Sequence, residues 1–172
     1  AYRTYLQTKG NKRADFFFVM RDTLESVISQ KLVPYYFRKG AEEGKRYTVD
    51  EVRYTYKDGK CHVDQSRSRR GGETRTAHDV SDYPVYDMLS ILARARSFDP
   101  TDYKPGQKIH FPMATGTKVE EQTLIFRGRE VIEGNDKNKY RCLKLSFVEY
   151  KDGREEEVIT FFISDDLNHL PI

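Results

Sequence analysis

Four histidines, His62, His78, His110 and His169, are the side chains with which this sequence can do acid–base or metal chemistry near neutral pH, and they are scattered along it. No two stand at the spacing that places a pair of imidazoles on one helix face. His62 and Asp64 fall on one side of a strand while Cys61 and Val63 fall on the other, the ordinary alternation of a half-buried strand rather than a catalytic pair. Asp165 and Asp166 with His169 form the nearest approach to a carboxylate and imidazole cluster, the place where a metal or a hydrolytic site would be sought. Turn-forming and capping roles explain those aspartates without a metal. The sequence contains no Gly-x-Ser-x-Gly, no phosphate-binding Gly-rich loop and no dinucleotide fingerprint. No catalytic residue, metal site or cofactor is therefore assigned. One further cluster is basic: Arg67, Arg69 and Arg70 stand beside Gly71 and Gly72, as an anion-binding loop or as a solvated loop tip.

Composition narrows the partners. The chain has 172 residues, enough for one domain with a sizeable core, and carries 30 basic against 27 acidic side chains for a net charge of +3. That balance does not call for nucleic acid or a charged membrane surface. No apolar run approaches the roughly 20 residues of a membrane-spanning helix, so the chain is not expected to cross a bilayer that way. Twelve Tyr and ten Phe without Trp favour strands. Cys61 and Cys142 show no metal spacing, and read as buried thiols or as a disulfide. Alternation begins at the first residue, and Leu170-Pro171 ends the chain without a closing turn. Both ends look cut, and a signal segment and terminal strands are expected to be missing.

One stretch, residues 82–97, has helical periodicity. Val85, Met88, Leu89, Leu92 and Ala95 recur at spacings of three and four, and Ile91 widens the stripe. Pro84 suits a first turn, either Asp82 or Asp87 can cap it, Arg94 and Arg96 complement the carbonyl end, and Asp99-Pro100 closes it. A helix over about residues 84–97 is predicted. The rest reads as strand: residues 1–8 and 13–20 as a hairpin, then 23–29, 35–39, 45–56, 61–68, 108–113, 117–132, 139–150 and 154–164. Asp58-Gly59 and Asp152-Gly153 are hairpin turn signals. A change of apolar phase between Val49 and Val52 predicts a bulge near Asp50-Glu51, Gly128 predicts another, and residues 158–163 look apolar on both faces. The expected fold is mainly β, one domain over residues 1–172, in which a strongly curved antiparallel sheet or a β-barrel of long strands packs around the single helix.

Several short motifs in fixed order resemble the exported bacterial family known as domain of unknown function 3108. They are Arg21-Asp22-Thr23-Leu24-Glu25-Ser26, Leu32-Val33-Pro34 with Tyr36-Phe37-Arg38, then Asp87, Ser90 and Arg96 on the helix, and Lys104-Pro105-Gly106. Gly128-Arg129-Glu130, Tyr140-Arg141-Cys142-Leu143-Lys144-Leu145, Ile163-Ser164-Asp165-Asp166 and Leu170-Pro171-Ile172 complete the set. The resemblance implies an exported protein of the periplasm or cell envelope, similar to the YmcC-like envelope proteins, with no established activity. Two functions are expected from it together with the aromatic excess. The first is a non-enzymatic module that holds a lipid-like ligand against the concave sheet, lined by Tyr36, Phe37, Tyr86, Leu89, Leu92 and Phe126. The second is an interaction module for an anionic glycan or a protein, using Arg67, Arg69 and Arg70; a hydrolase is a distant third. Asp87, Ser90 and Arg96 are expected to fix the helix ends to neighbouring strands rather than to do chemistry.

Overall fold

A computed structural model of the chain describes residues 1–9 and 20–172. The strands are β1 (Tyr2–Lys9), β2 (Met20–Ile28), β3 (Pro34–Glu43), β4 (Arg46–Lys57), β5 (Lys60–Arg69), β6 (Arg75–Ser81), β7 (Lys108–Ala114), β8 (Val119–Glu133), β9 (Lys139–Lys151) and β10 (Arg154–Ser164). One helix, α1 (Met88–Ala95), lies between β6 and β7. The mainly β, antiparallel expectation holds, but the strands form two sheets. One runs in the order β1-β2-β3-β4-β5-β6 and the other β10-β9-β8-β7. Neither order closes on itself among the described residues, so the pairing does not build the expected barrel. The hairpin strand predicted over residues 13–20 falls almost wholly outside the described residues, and β1 pairs with β2.

Contacts cluster into two compact units, residues 1–94 with 112–120 and residues 95–111 with 121–172. In the first, alternation sends Leu24, Phe37, Val52, Tyr54, Cys61 and Val63 to one face of the six-stranded sheet, where Val85, Leu89 and Ala114 cover them. In the second, Phe126, Leu143, Leu145 and Ile163 form the core, with Tyr103 edge-on to Phe126 at 5.6 Å between ring centres. Cys61 and Cys142 are both buried free thiols. A thiol reagent is expected to react with both only on unfolding, and reaction of just one equivalent in denaturant would contradict this assignment.

Local signals fared unevenly. Asp58 and Gly59 have φ of 53° and 75°, and Asp152 and Gly153 of 50° and 73°, as the two hairpin turns require. Gly128 sits at a register shift with φ of 120°, as predicted. The bulge predicted near Asp50-Glu51 is absent: β4 pairs with β3 and β5 in unbroken register. The phase changes because the inner face turns polar there, with Asp50 buried while Tyr47 and Val49 are partly exposed. Val158 and Ile159 of β10 are exposed at a bulge, so two-sided burial does not extend that far. Strand β6 was not anticipated, because Arg75–Ser81 (RTAHDVS) lacks apolar alternation.

The helix is shorter than predicted. Asp87 caps it, since its Oδ1 accepts from the Leu89 and Ser90 N–H groups at 2.9 and 2.8 Å, while the Asp87 N–H donates to Ser90 Oγ at 2.8 Å. Ahead of the cap, Tyr86 bridges Met113 in strand fashion, which removes Pro84 to Tyr86 from the helix.

Candidate functional site

The turn from β2 to β3 is held from within by one side chain. Ser29 Oγ accepts from the N–H groups of Lys31 and Val33 at 3.1 and 3.2 Å, its own N–H donates to the Val33 carbonyl at 2.8 Å, and Leu32 takes a φ of 60°. Pro34 then starts β3 at a position where no donor is needed. The Tyr56 hydroxyl donates to the Pro34 carbonyl at 3.0 Å, and the Tyr35 and Tyr56 rings meet edge to face at 6.2 Å. Beside this turn lies an open groove of about 940 Å³. Its walls include Val33, Tyr35, Tyr54, Tyr56 and Pro84, and Lys31 supplies a positive charge.

Tyr54 is the odd member of this set. It is 4% exposed, and its hydroxyl is buried without a hydrogen-bond partner. Burial raises its pKa well above the ordinary phenol value, and the nearby Asp87 carboxylate adds to this. Burial also raises that of Tyr56. Both hydroxyls therefore stay neutral donors across the physiological range. The groove offers aromatic faces and an ammonium, which suits binding an apolar body with an anionic end.

Away from the groove, the inner face of the same sheet is polar. Arg67 grips Asp50 with two bonds, Nε to Oδ1 at 2.6 Å and Nη2 to Oδ2 at 2.8 Å, and Nη2 also donates to the Thr115 carbonyl at 2.8 Å. Gln65 Oε1 accepts from the Gly116 N–H at 3.0 Å, and its Nε2 donates to Asp79 at 2.8 Å. Gly116 has a φ of 92°, and a Cβ there would come within 2.7 Å of Asp50 Cγ. These bonds dock the turn after β7 on the sheet.

The residues expected to line a ligand site are dispersed. Phe37 and Leu89 share the packed core of the first unit, whereas Phe126 belongs to the core of the second. Tyr36 faces the opposite side of the sheet from Phe37, where its hydroxyl donates to Glu51 at 2.7 Å and Arg53 lies over its ring. Burial and the Glu51 bond push its pKa up to about 12. Tyr86 and Leu92 are partly buried. Tyr35, Tyr54 and Tyr56 were not anticipated; Tyr54 and Tyr56 on one face of β4 and Tyr35 after Pro34 were the available signal.

The basic loop is also divided. Arg67 lies within β5 and turns inward to Asp50, Arg70 stacks over Tyr47, and Arg69 and Arg70 are exposed. The C-terminal aspartates do structural work, as read from the sequence. Asp165 receives Arg129 and Arg141, while Asp166 accepts from the N–H groups of Asn168 and His169. Arg96 donates twice to the Asn168 carbonyl, and the Arg96 carbonyl accepts from His169 Nδ1 at 2.8 Å. Arg96 thus fixes the chain after α1 to the C-terminal segment, while Ser26 donates to Asp87 Oδ2 at 2.9 Å and ties the helix start to β2. Among the described residues no helix is long and apolar enough to cross a membrane.

Comparison with curated proteins and with solved structures finds no match. A family model does match, over residues 1–172, and it is described as a protein of unknown function. The chain belongs to that family, DUF3108.

Proposed function

We propose that this chain is a non-enzymatic, exported cell-envelope module that holds an apolar or amphipathic, lipid-like ligand in the groove beside the turn between β2 and β3. The observation that carries this is an open groove of about 940 Å³ beside the turn between β2 and β3, walled largely by apolar and aromatic side chains. Burying the apolar body of a ligand against those walls gains about 25 cal/mol for each Å² removed from water. Tyr35 and Tyr56 supply apolar faces, and Lys31 suits an anionic end. Residence in the envelope rests on the resemblance drawn from the sequence motifs. The glycan alternative is the weaker of the two, because Arg67 is already held by Asp50.

Native mass spectrometry of protein purified from its own host is expected to show a co-purifying adduct of lipid-like mass. Tyr35→Ala, which alters an exposed wall residue, is expected to diminish the adduct while leaving the circular dichroism spectrum intact. Tyr54→Phe is expected to stabilise the ligand-free protein by about 1 kcal/mol, by removing the unpaired hydroxyl, and to leave the adduct unchanged. A clean unliganded mass for the host protein, or an adduct as abundant in Tyr35→Ala as in the wild type, would sink the proposal.

A further inference from the structure

On the outer face of the six-stranded sheet, β5 and β6 bring two histidines together. The register sets Asp64 opposite His78 and His62 opposite Val80, so His62 and His78 are diagonal neighbours on one face. Their ring centres are 5.8 Å apart, with the planes 35° from parallel. His78 Nδ1 lies 2.7 Å from Asp64 Oδ1, so this carboxylate holds the proton on Nδ1 and leaves Nε2 with a free lone pair. The His62 ring makes no side-chain hydrogen bond among the described residues.

We infer that His62 and His78 form a binding site for a divalent transition-metal ion, Cu²⁺ in preference to Zn²⁺, with Asp64 as the positioning residue for His78. Two imidazoles that share one ion through metal–nitrogen bonds of about 2.0–2.1 Å have ring centres about 5–6 Å apart, and the observed spacing lies in that range. A carboxylate on the far nitrogen of a ligating histidine is the usual outer partner in such sites; it sets the tautomer and makes the ring a better donor. Asp64 is engaged in that way, and no group of three or more His, Cys, Asp or Glu side chains among the described residues is placed to hold a metal. The protein therefore supplies two ligands, and water or a small anion completes the shell. His78 is exposed and His62 partly so, which gives those further ligands access. Imidazole selects Cu²⁺ and Zn²⁺ over Mg²⁺ and Ca²⁺, and the order of intrinsic affinities puts Cu²⁺ first. The two-ligand count makes this an exchangeable site, suited to carrying a metal rather than to burying one. It is independent of the groove, which lies on other residues.

The test is calorimetric titration of the full, tag-free chain with CuCl₂, ZnCl₂ and MgCl₂, with His110→Ala as a control for non-specific imidazole binding. One equivalent of Cu²⁺ is expected to bind the wild type more tightly than Zn²⁺, with no heat from Mg²⁺. His62→Ala and His78→Ala are each expected to weaken Cu²⁺ binding at least tenfold, and His110→Ala to leave it unchanged. Asp64→Asn is expected to weaken it about tenfold, and to shift the ring ¹⁵N resonances of His78 away from a single Nδ1–H tautomer in the metal-free protein. Absence of Cu²⁺ binding in the wild type overturns the inference, as does affinity unchanged in both His62→Ala and His78→Ala. An unaltered His78 tautomer in Asp64→Asn removes the role given to Asp64.

Discussion

Arg67→Ala is expected to lower the unfolding free energy by about 3 kcal/mol, read as a fall in the urea midpoint at unchanged slope. Asp50 is 8% exposed and takes both of its strong bonds from this one guanidinium. Alanine leaves a buried carboxylate with no charge to offset it, and such loss is larger than the net worth of the pair itself. The nearest substitute is Lys39, directly opposite Asp50 on β3, but its Nζ lies 3.4 Å from Asp22. The Thr115 carbonyl loses its donor as well, which loosens the turn that carries Gly116. Arg67→Lys is expected to recover less than half of the loss, because an ammonium cannot make two parallel bonds to one carboxylate. Adding Asp50→Asn to Arg67→Ala is expected to restore part of the stability by removing the stranded charge. If Arg67→Ala matches the wild type, or if Asp50→Asn deepens the loss, the ion pair is not what holds this part of the sheet.

That pair also shows where the sequence was legible and where it was not. Asp58-Gly59 and Asp152-Gly153 were readable because a hairpin turn is decided by the φ of two adjacent residues. The polar end of the inner face was not, because Asp50 and Arg67 are 17 positions apart and their contact exists only once β4 and β5 are in register. From the sequence, a strand whose inner face turns polar and a strand that slips by one residue give the same change of apolar phase. The helix was overextended at its start for a related reason. Pro84, Val85 and Tyr86 fit the helical stripe, but the bonds of Tyr86 to the Pro112 carbonyl and the Ala114 N–H hold them extended. Asp87 ties the helix start to β2 as expected, whereas Ser90 bonds only Asp87 and Arg96 reaches the C-terminal segment rather than a strand. The groove was invisible because Tyr54 and Tyr56 look like any aromatic alternation until the turn from β2 to β3 packs beside them.

The second large effect concerns Asp87, which is wholly buried and whose carboxyl is pushed up from 3.8 to about 6. Burial is the dominant cause, and it outweighs the opposing hydrogen bonds from Ser90, Ser26 and Leu89. Because the folded state holds this proton more tightly than the unfolded chain, the contribution of the group is fully present below about pH 4. It is lost as pH rises through about 6, by about 3 kcal/mol in all. Above that range the ionised carboxylate is tolerated because it caps α1 and accepts from Ser26 on β2. Asp87→Asn keeps a side-chain oxygen for the Leu89 and Ser90 N–H groups, and Ser26 can turn its hydroxyl to accept from the new amide. This variant is expected to flatten the dependence between pH 4 and 7, and to equal or exceed the wild type at pH 7. Asp87→Ala leaves two backbone donors and the Ser26 hydroxyl unpaired in the interior, and is expected to lose about 2–4 kcal/mol at pH 7. Urea unfolding of the three proteins across this pH range decides the matter. The same slope in wild type and Asp87→Asn would show that another group carries the pH dependence. An Asn variant no more stable than the Ala variant would show that the cap is not what keeps a charged group in this core.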